Sequence, residues 1–371
     1  MEQNFQVRDV FNENVVNQLA ESLARAWRGF DARAFRESIL SKLKLLTFGE
    51  RSNLIRDTLW EHLPKDYPLA LQIILKALPP QLPTCEVTGY DGFIILPQNE
   101  FVAKYGLEYY DLSMQALYQM TKRFSAEGAI RPFLQKYPEQ TLAILSDWAE
   151  NENCHVRRLV SEGTRPRLPW TMQLKAFIKD PRPVLGLLEK LKTDPELMVC
   201  RSVANNLNDI AKDHPDLVVK TLKRWKKLNN DGTQWIIRHA ARTLIKQGNK
   251  DVLMVLGFDS KIGITVSKIQ LDKPVVRMGG DLTFSFEIKS KSKQAQNLVI
   301  DYIIHHVKAS GKLAPKVFKL TKKMLNAGET LHLSKRHSFR AITTRKYYPG
   351  KHVLEIQVNG VKYGKVEFEL K

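Results

Sequence analysis

Cysteine is scarce in this chain of 371 residues. Cys85, Cys154 and Cys200 are odd in number and widely spaced, which fits neither a disulfide framework nor a Cys-x-x-Cys metal clip. That pattern predicts reduced thiols in an interior compartment. Long apolar runs are also missing. No stretch approaches the roughly 20 residues that span a bilayer, and Met1-Glu2-Gln3-Asn4 lacks the basic and apolar regions of a signal peptide. A soluble cytoplasmic protein without a membrane partner is expected. The glycines never form a phosphate loop, a Gly-x-Gly-x-x-Gly turn or a Gly-x-Ser-x-Gly elbow. ATP-driven, dinucleotide-linked and serine-hydrolase chemistries therefore find no support. The histidines are scattered without zinc spacing, so neither a metal nor another cofactor is expected.

Negative charge is short as well. The chain has 39 Asp plus Glu against 58 Lys plus Arg, a net charge of +19. Such an excess favours phosphate polyanions or anionic membranes over acidic proteins, and says nothing about fold. It is also uneven: from residue 259 onward 22 basic residues face 9 acidic ones, placing +13 in the last third. The hydrophobic fraction of 43% and the length suit two ordinary domains with a substantial core.

Up to about residue 257 the apolar periodicity is helical. Val15, Leu19, Leu23 and Trp27 form one stripe, and Phe35, Ile39, Leu43 and Leu46 the next. Two more run through Leu54, Ile55, Leu59 and Leu63, then Leu71, Ile74, Leu75 and Leu78. An internal repeat follows. Pro138, Pro181 and Pro215 each open a segment with a large apolar residue ten positions later, and Pro138 to Pro181 spans 43 residues, as does Arg158 to Arg201. Paired helices near that period predict a HEAT-like solenoid over residues 1–257. Beyond it, alternating segments around Val266, Leu271, Phe284, Ile300, Phe318, Leu331, Leu354 and Phe368 read as short strands, with Asn359-Gly360 as a two-residue hairpin turn. Residues 258–371 are expected to form an immunoglobulin-like β-sandwich without its disulfide. The fold class is mainly α with this β appendage.

The stretch Val156-Arg157-Arg158-Leu159-Val160-Ser161-Glu162-Gly163-Thr164-Arg165-Pro166-Arg167-Leu168-Pro169-Trp170 combines four arginines, one acid and one indole. Arg158 and Arg201 lie one repeat apart, with Arg238 and Arg242 one helix further, a spacing that can track a phosphate backbone. The alternative is that these arginines snorkel or pair with acids between repeats. Glu162 shares a helical face with Arg158, Asp209 occupies a similar face one repeat on, and Glu127 belongs to the preceding unit. Acids in a basic groove repel DNA unless they serve a purpose, although each alone is often a cap or salt-bridge partner. Trp170, flanked by Pro169 and Arg167, differs from Trp27, Trp60, Trp148 and Trp225, which sit on core stripes. An exposed indole can face a cation or stack beside a nucleotide.

Three motifs carry a resemblance: Phe124-Ser125-Ala126-Glu127 with Ala129-Ile130-Arg131-Pro132-Phe133, the Val156–Trp170 run, and Val203-Ala204-Asn205-Asn206-Leu207-Asn208-Asp209. Over residues 10–257 the chain resembles the AlkC branch of bacterial alkylpurine DNA glycosylases, and its tail resembles the appendage of part of that branch. The resemblance implies removal of bases methylated at ring nitrogen 3, without a metal and without rotating the nucleotide into a deep pocket. It also implies Glu127, Glu162, Trp170 and Asp209 as lesion-site residues, with Asp209 and Glu162 stabilising charge and positioning water and Glu127 assisting. Arg157, Arg158, Arg165, Arg167, Arg201, Asn205, Arg238 and Arg242 are the expected DNA contacts. The expected partner is double-stranded DNA containing alkylated bases, bound by a monomer at the bacterial nucleoid. Two other readings stand beside it: a non-catalytic nucleic-acid scaffold in which the acids are structural, and peptide recognition by an edge strand of the sandwich.

Overall fold

A computed structural model describes residues 6–85, 91–259, 261–342 and 345–371. The N-terminal helices begin where side chains satisfy the free N–H groups of a first turn. Asn12 and Asp31 accept such bonds at α1 (Glu13–Ala26) and α2 (Ala32–Leu43). A reciprocal Thr47–Glu50 box opens α3 (Phe48–His62), and Asp66 caps α4 (Tyr67–Lys76). The stripes read from the sequence put Leu19, Leu23, Phe35, Ile39, Ile55, Leu59 and Ile74 in the core, whereas Val15, Trp27, Leu46, Leu54, Leu75 and Leu78 are half-buried. Next come α5 (Leu96–Tyr105), α6 (Tyr110–Thr121) and the short α7 (Arg131–Lys136).

The proline-marked repeat is present as successive helix pairs. α8 (Pro138–Trp148) and α9 (Cys154–Gly163) form the first. After the short α10 (Lys175–Lys179) come α11 (Arg182–Leu191) with α12 (Leu197–Ile210), then α13 (Pro215–Trp225) with α14 (Asp231–Ala240). Pro138 and Pro215 are first residues of their helices, where a missing N–H costs nothing. Helices α9, α12 and α14 pack side by side, so second helices of successive pairs share one wall. α15 (Arg242–Lys246) and α16 (Lys250–Val255) end the helical part. Among the described residues no helix is long and apolar enough to cross a membrane.

The chain packs as two compact units. One runs to Asp213 and takes in Asn229–Ala240; the other comprises His214–Leu228 and Ala241–Lys371. The wall of α9, α12 and α14 therefore lies in the first unit, while α13, α15 and α16 lie with the strands in the second.

The second unit holds β1 (Ile264–Val266), β2 (Gln270–Leu271), β3 (Val275–Val276), β4 (Asp281–Ser290) and β5 (Gln296–Val307). It continues with β6 (Leu313–Leu325), β7 (Thr330–Ser338), β8 (Gly350–Val358) and β9 (Val361–Leu370). In one sheet β4 pairs with β7 along one edge and with β1 and β2 along the other, all antiparallel. The second sheet has the order β3-β9-β8-β5-β6. Phe284, Phe286 and Ile288 of β4 pack with Tyr302, Ile304, Ile356 and Phe368 in the shared core. Asn359 and Gly360 have φ of 46° and 76°, the left-handed pair that a two-residue hairpin requires, and join Val358 to its partner Val361. Strand β3, which pairs parallel to β9, has only two residues and shows no alternation to read.

One expectation fails. Cys85 and Cys154 are joined in a disulfide with their Cα atoms 6.0 Å apart, while Cys200 is free and buried. Their separation of 69 residues carries no pairing signal. The fold makes the pair, by returning the segment after α4 to the first turn of α9, where His155 Nε2 and the Thr84 carbonyl also meet at 2.9 Å.

Candidate functional site

Glu162 and Asp209 come from neighbouring helices and meet on one guanidinium. Arg165, in the loop after α9, donates from Nη1 to Glu162 Oε1 at 2.6 Å and from Nε to Asp209 Oδ2 at 2.9 Å. All three residues are buried, Glu162 at 5% and Asp209 at 2% exposure. Such burial requires the remaining carboxylate oxygens to be satisfied. Ser202 Oγ donates to Glu162 Oε2 at 2.6 Å and itself accepts from Ser161 Oγ, while Lys212 Nζ donates to Asp209 Oδ1 at 2.9 Å. Burial lowers the Arg165 pKa, but the two carboxylates outweigh it and hold the guanidinium above its ordinary value.

Glu127 stands in the turn before α7. Its Oε2 accepts from Ser125 Oγ at 2.7 Å and lies 2.8 Å from Arg158 Nη1. Ser125 and Glu127 are thus bonded to each other within the turn that precedes α7. The side chain of Glu127 is 29% exposed, making it the most accessible of the three acids. Gly163 brings this turn close to α9: a Cβ there would lie 2.6 Å from Ile130 Cγ2.

Arg131 ties the parts together. Fully buried, it donates from Nη1 to the Gly163 and Arg165 carbonyls and from Nε and Nη2 to the Met172 carbonyl. One guanidinium therefore closes the 163–172 loop. Burial, with Arg165 adding, pulls it down to about 10, and Asp209, Glu127 and Glu162 oppose that shift. Its field reaches all three acids, so they converge around it. Four cations (Arg131, Arg158, Arg165, Lys212) face three carboxylates here. This corrects the expectation that the acids would repel DNA, because the cluster already contains their neutralising charges. The sequence reading assigned Arg131 no role, although the residue stands inside a quoted motif. Its partners are carbonyls, which leave no trace in side-chain spacing.

Trp170 sits on the loop that Arg131 closes. It is 89% exposed and has a φ of 60°, a conformation uncommon for a bulky side chain and costing on the order of 1–3 kcal/mol. The Phe48 ring lies 6.3 Å from it.

The expected DNA contacts divide. Arg201 and Arg238 are exposed on α12 and α14, and Asn205 is half-buried on α12. Arg158 is held by Glu127. Arg165 is not free to hold phosphate, since both edges of its guanidinium face carboxylates. Arg157 is likewise committed, paired with Asp194 at 2.6 Å and donating to the Asn151 and Glu152 carbonyls. Arg167 pairs with Asp213 through Nε and Nη2 at 3.0 and 2.8 Å on a partly exposed surface. Arg242 begins α15 in the second unit. Among the described residues, no three His, Cys, Asp or Glu side chains are placed to hold a metal ion.

Paired helices carrying arginine-bridged acids beside an exposed indole, followed by an immunoglobulin-like sandwich, define a helical-repeat protein with a β appendage. Residues 120–244 match the family described as DNA alkylation repair enzyme, and residues 265–371 match the C-terminal Ig-like domain of the uncharacterised protein YhaZ. The chain is 38% identical over 365 residues to the uncharacterized protein YhaZ of Bacillus subtilis (strain 168), covering 98% of this chain and 99% of that one. Its fold matches that of the Pseudomonas fluorescens alkylpurine DNA glycosylase AlkC, bound to DNA containing an abasic site analog. The TM-score is 0.90 and the identity 38%, over 98% of this chain and 99% of that one. The chain belongs to the DNA alkylation repair enzyme family, in its AlkC-type branch.

Proposed function

We propose that this chain is a DNA glycosylase that excises cationic bases methylated at ring nitrogen 3, such as 3-methyladenine and 3-methylcytosine, from duplex DNA. The observation that carries the reading is the convergence of Glu127, Glu162 and Asp209 around Arg131, whose hydrogen bonds also fix the loop bearing Trp170. The likeness to AlkC supports it. A methylated base is already a cation, so its bond to the sugar C1′ breaks toward an oxocarbenium without prior protonation. The electron pair of that bond leaves with the base, water adds to C1′, and the water's proton passes to a carboxylate. Fixed negative charge beside the sugar lowers this barrier.

Its exposure favours Glu127 as the acid that meets the water, with Glu162 and Asp209 supplying fixed charge and holding Arg165. Trp170 would face the cationic sugar or base with its ring. Arg158, Arg201 and Arg238, with Arg167 at the rim, would grip phosphates as a monomer binds bacterial DNA in the cytoplasm. In this reading residues 1–257 carry the lesion site, and the basic residues 258–371 add grip.

One observation favours a non-catalytic scaffold: Glu162 and Asp209 are fully ion-paired and buried. Single-turnover release of free bases from methylated DNA decides between the two. The glycosylase yields 3-methyladenine at a rate well above spontaneous loss, and the scaffold yields salt-sensitive binding without product.

A further inference from the structure

Two large apolar side chains stand apart in exposure among the described residues. Leu45 is 91% exposed and Trp170 89%, while the next, Met324, reaches only 60%. Trp170 belongs to the site above, but Leu45 does not. It lies in the turn between α2 and α3, where the Leu45 and Leu46 N–H groups donate back to the Lys42 and Leu43 carbonyls. Leu43 is buried in the core, so the turn is fastened beneath a projecting leucine. Phe48, three residues on, is the first residue of α3. Its ring lies 5.2 Å from Phe11 and 6.3 Å from Trp170, which sets the turn beside the tryptophan loop within the first unit.

The surroundings of Leu45 are cationic. Lys42 and Lys44 are exposed on either side and make no ion pair among the described residues. Glu50, the nearest acid in sequence, is turned back on the Thr47 N–H and hydroxyl that open α3. A fully exposed apolar tip between two free ammonium groups matches one partner surface well. That surface is an opened step of a duplex, where apolar base faces lie between two rows of phosphate.

We propose that Leu45 is a wedge that enters a base step next to the lesion, with Lys42 and Lys44 on the flanking phosphates and Trp170 at the neighbouring position. The inference rests on the glycosylase reading and extends it to a DNA-opening residue outside the acid cluster. Leu45 touches no reacting atom in this role. It is a positioning residue, and its removal should act through base stacking.

The test uses full-length protein and a short duplex with 2-aminopurine beside an abasic-site analog, whose fluorescence rises when the base unstacks. Leu45→Ala should abolish most of that rise and slow single-turnover release of 3-methyladenine by about tenfold or more. Its melting temperature and its affinity for undamaged duplex should stay as in the parent, and Leu45→Met should recover both the fluorescence rise and the rate. Unchanged unstacking and release in Leu45→Ala would overturn the wedge. So would a wild-type dimer in sedimentation that Leu45→Ala dissolves, since the tip would then belong to a second copy. If the parent protein unstacks the probe and loses that ability in Leu45→Ala but releases no base, the wedge stands and the glycosylase reading fails.

Discussion

Arg158 Nη1 stands 2.8 Å from Glu127 Oε2, so a cation suited to phosphate and the most accessible acid of the cluster neutralise each other in the free protein. A DNA phosphate competing for Arg158 would release Glu127 from this ion pair. Arg158→Ala should therefore weaken DNA binding and lessen the log–log salt slope by about 1. Glu127→Gln should leave affinity near the parent's and reduce the single-turnover rate by about tenfold or more. Filter binding across a salt series, with base release at saturating protein, separates the two effects. Equal losses of binding in both variants would remove Glu127 from the chemistry.

Among the described residues Arg165 is the one cationic partner of Glu162 and, with Lys212, one of two for Asp209. Replacing it by methionine leaves a buried carboxylate without a counter-charge, a change that costs about 3–5 kcal/mol. Urea unfolding of Arg165→Met should show that loss. Asp209→Asn and Glu162→Gln keep hydrogen-bonding shape and should lose less stability, while each slows base release. A fully stable Arg165→Met would mean that the acids find other partners.

The repeat is readable because Pro138, Pro181 and Pro215 mark helix starts that the backbone itself enforces. The matched positions of Glu162 and Asp209 are readable for a related reason, since both fall on second helices. What joins them is not. Arg165 lies three residues beyond Glu162, a local relation, but it reaches Asp209 only because α12 packs on α9. Arg157 and Arg158 look alike in sequence, yet one turns to Asp194 and the other to Glu127. In the sandwich the alternating strands and the Asn359-Gly360 turn announce themselves. The Cys85–Cys154 bond and β3 depend on contacts between segments far apart in the chain.

The sandwich core predicts an acid-sensitive stability. His306, His337 and His352 surround Phe339, and His306 lies 5.6 Å from His352 and 6.3 Å from His337, ring to ring. Burial pushes all three down, His306 to about 3 and His337 to about 4, and Arg345 adds to both. Lys308 and Lys335 push the same way, and Asp281 opposes at His337. A depressed histidine favours the fold fully above its unfolded value near 6.5, and that stability drains as pH falls toward the folded values. Asp301 acts in the opposite sense: burial lifts it from 3.8 to about 6, so protonation on the way down relieves a buried charge. The melting temperature of the full chain should fall between about pH 7 and pH 4. The fall should be shallower in His306→Phe and steeper in Asp301→Asn. A flat profile in the parent would contradict the histidine assignment.

The disulfide gives a redox prediction. Closing a 69-residue loop lowers the entropy of the unfolded chain by the equivalent of about 4 kcal/mol at room temperature. Dithiothreitol should lower the melting temperature of the parent by roughly 10 °C. Cys85→Ser should start from the lower value and ignore the reductant. A parent indifferent to reductant, with two more titratable thiols than Cys200 provides, would show the pair to be reduced.

Gly248 and Gly360, both with positive φ, meet backbone to backbone, a Cβ on Gly360 falling 2.6 Å from the Gly248 carbonyl oxygen. The turn before α16 is thereby fastened to the β8–β9 hairpin inside the second unit, which also claims α13. The chain passes between its two units after Asp213, Leu228 and Ala240. No single protease cut can liberate either unit intact, and a truncation at residue 258 would strand three helices from the strands that complete them. Evolutionary exchange of the appendage would have to carry those helices along.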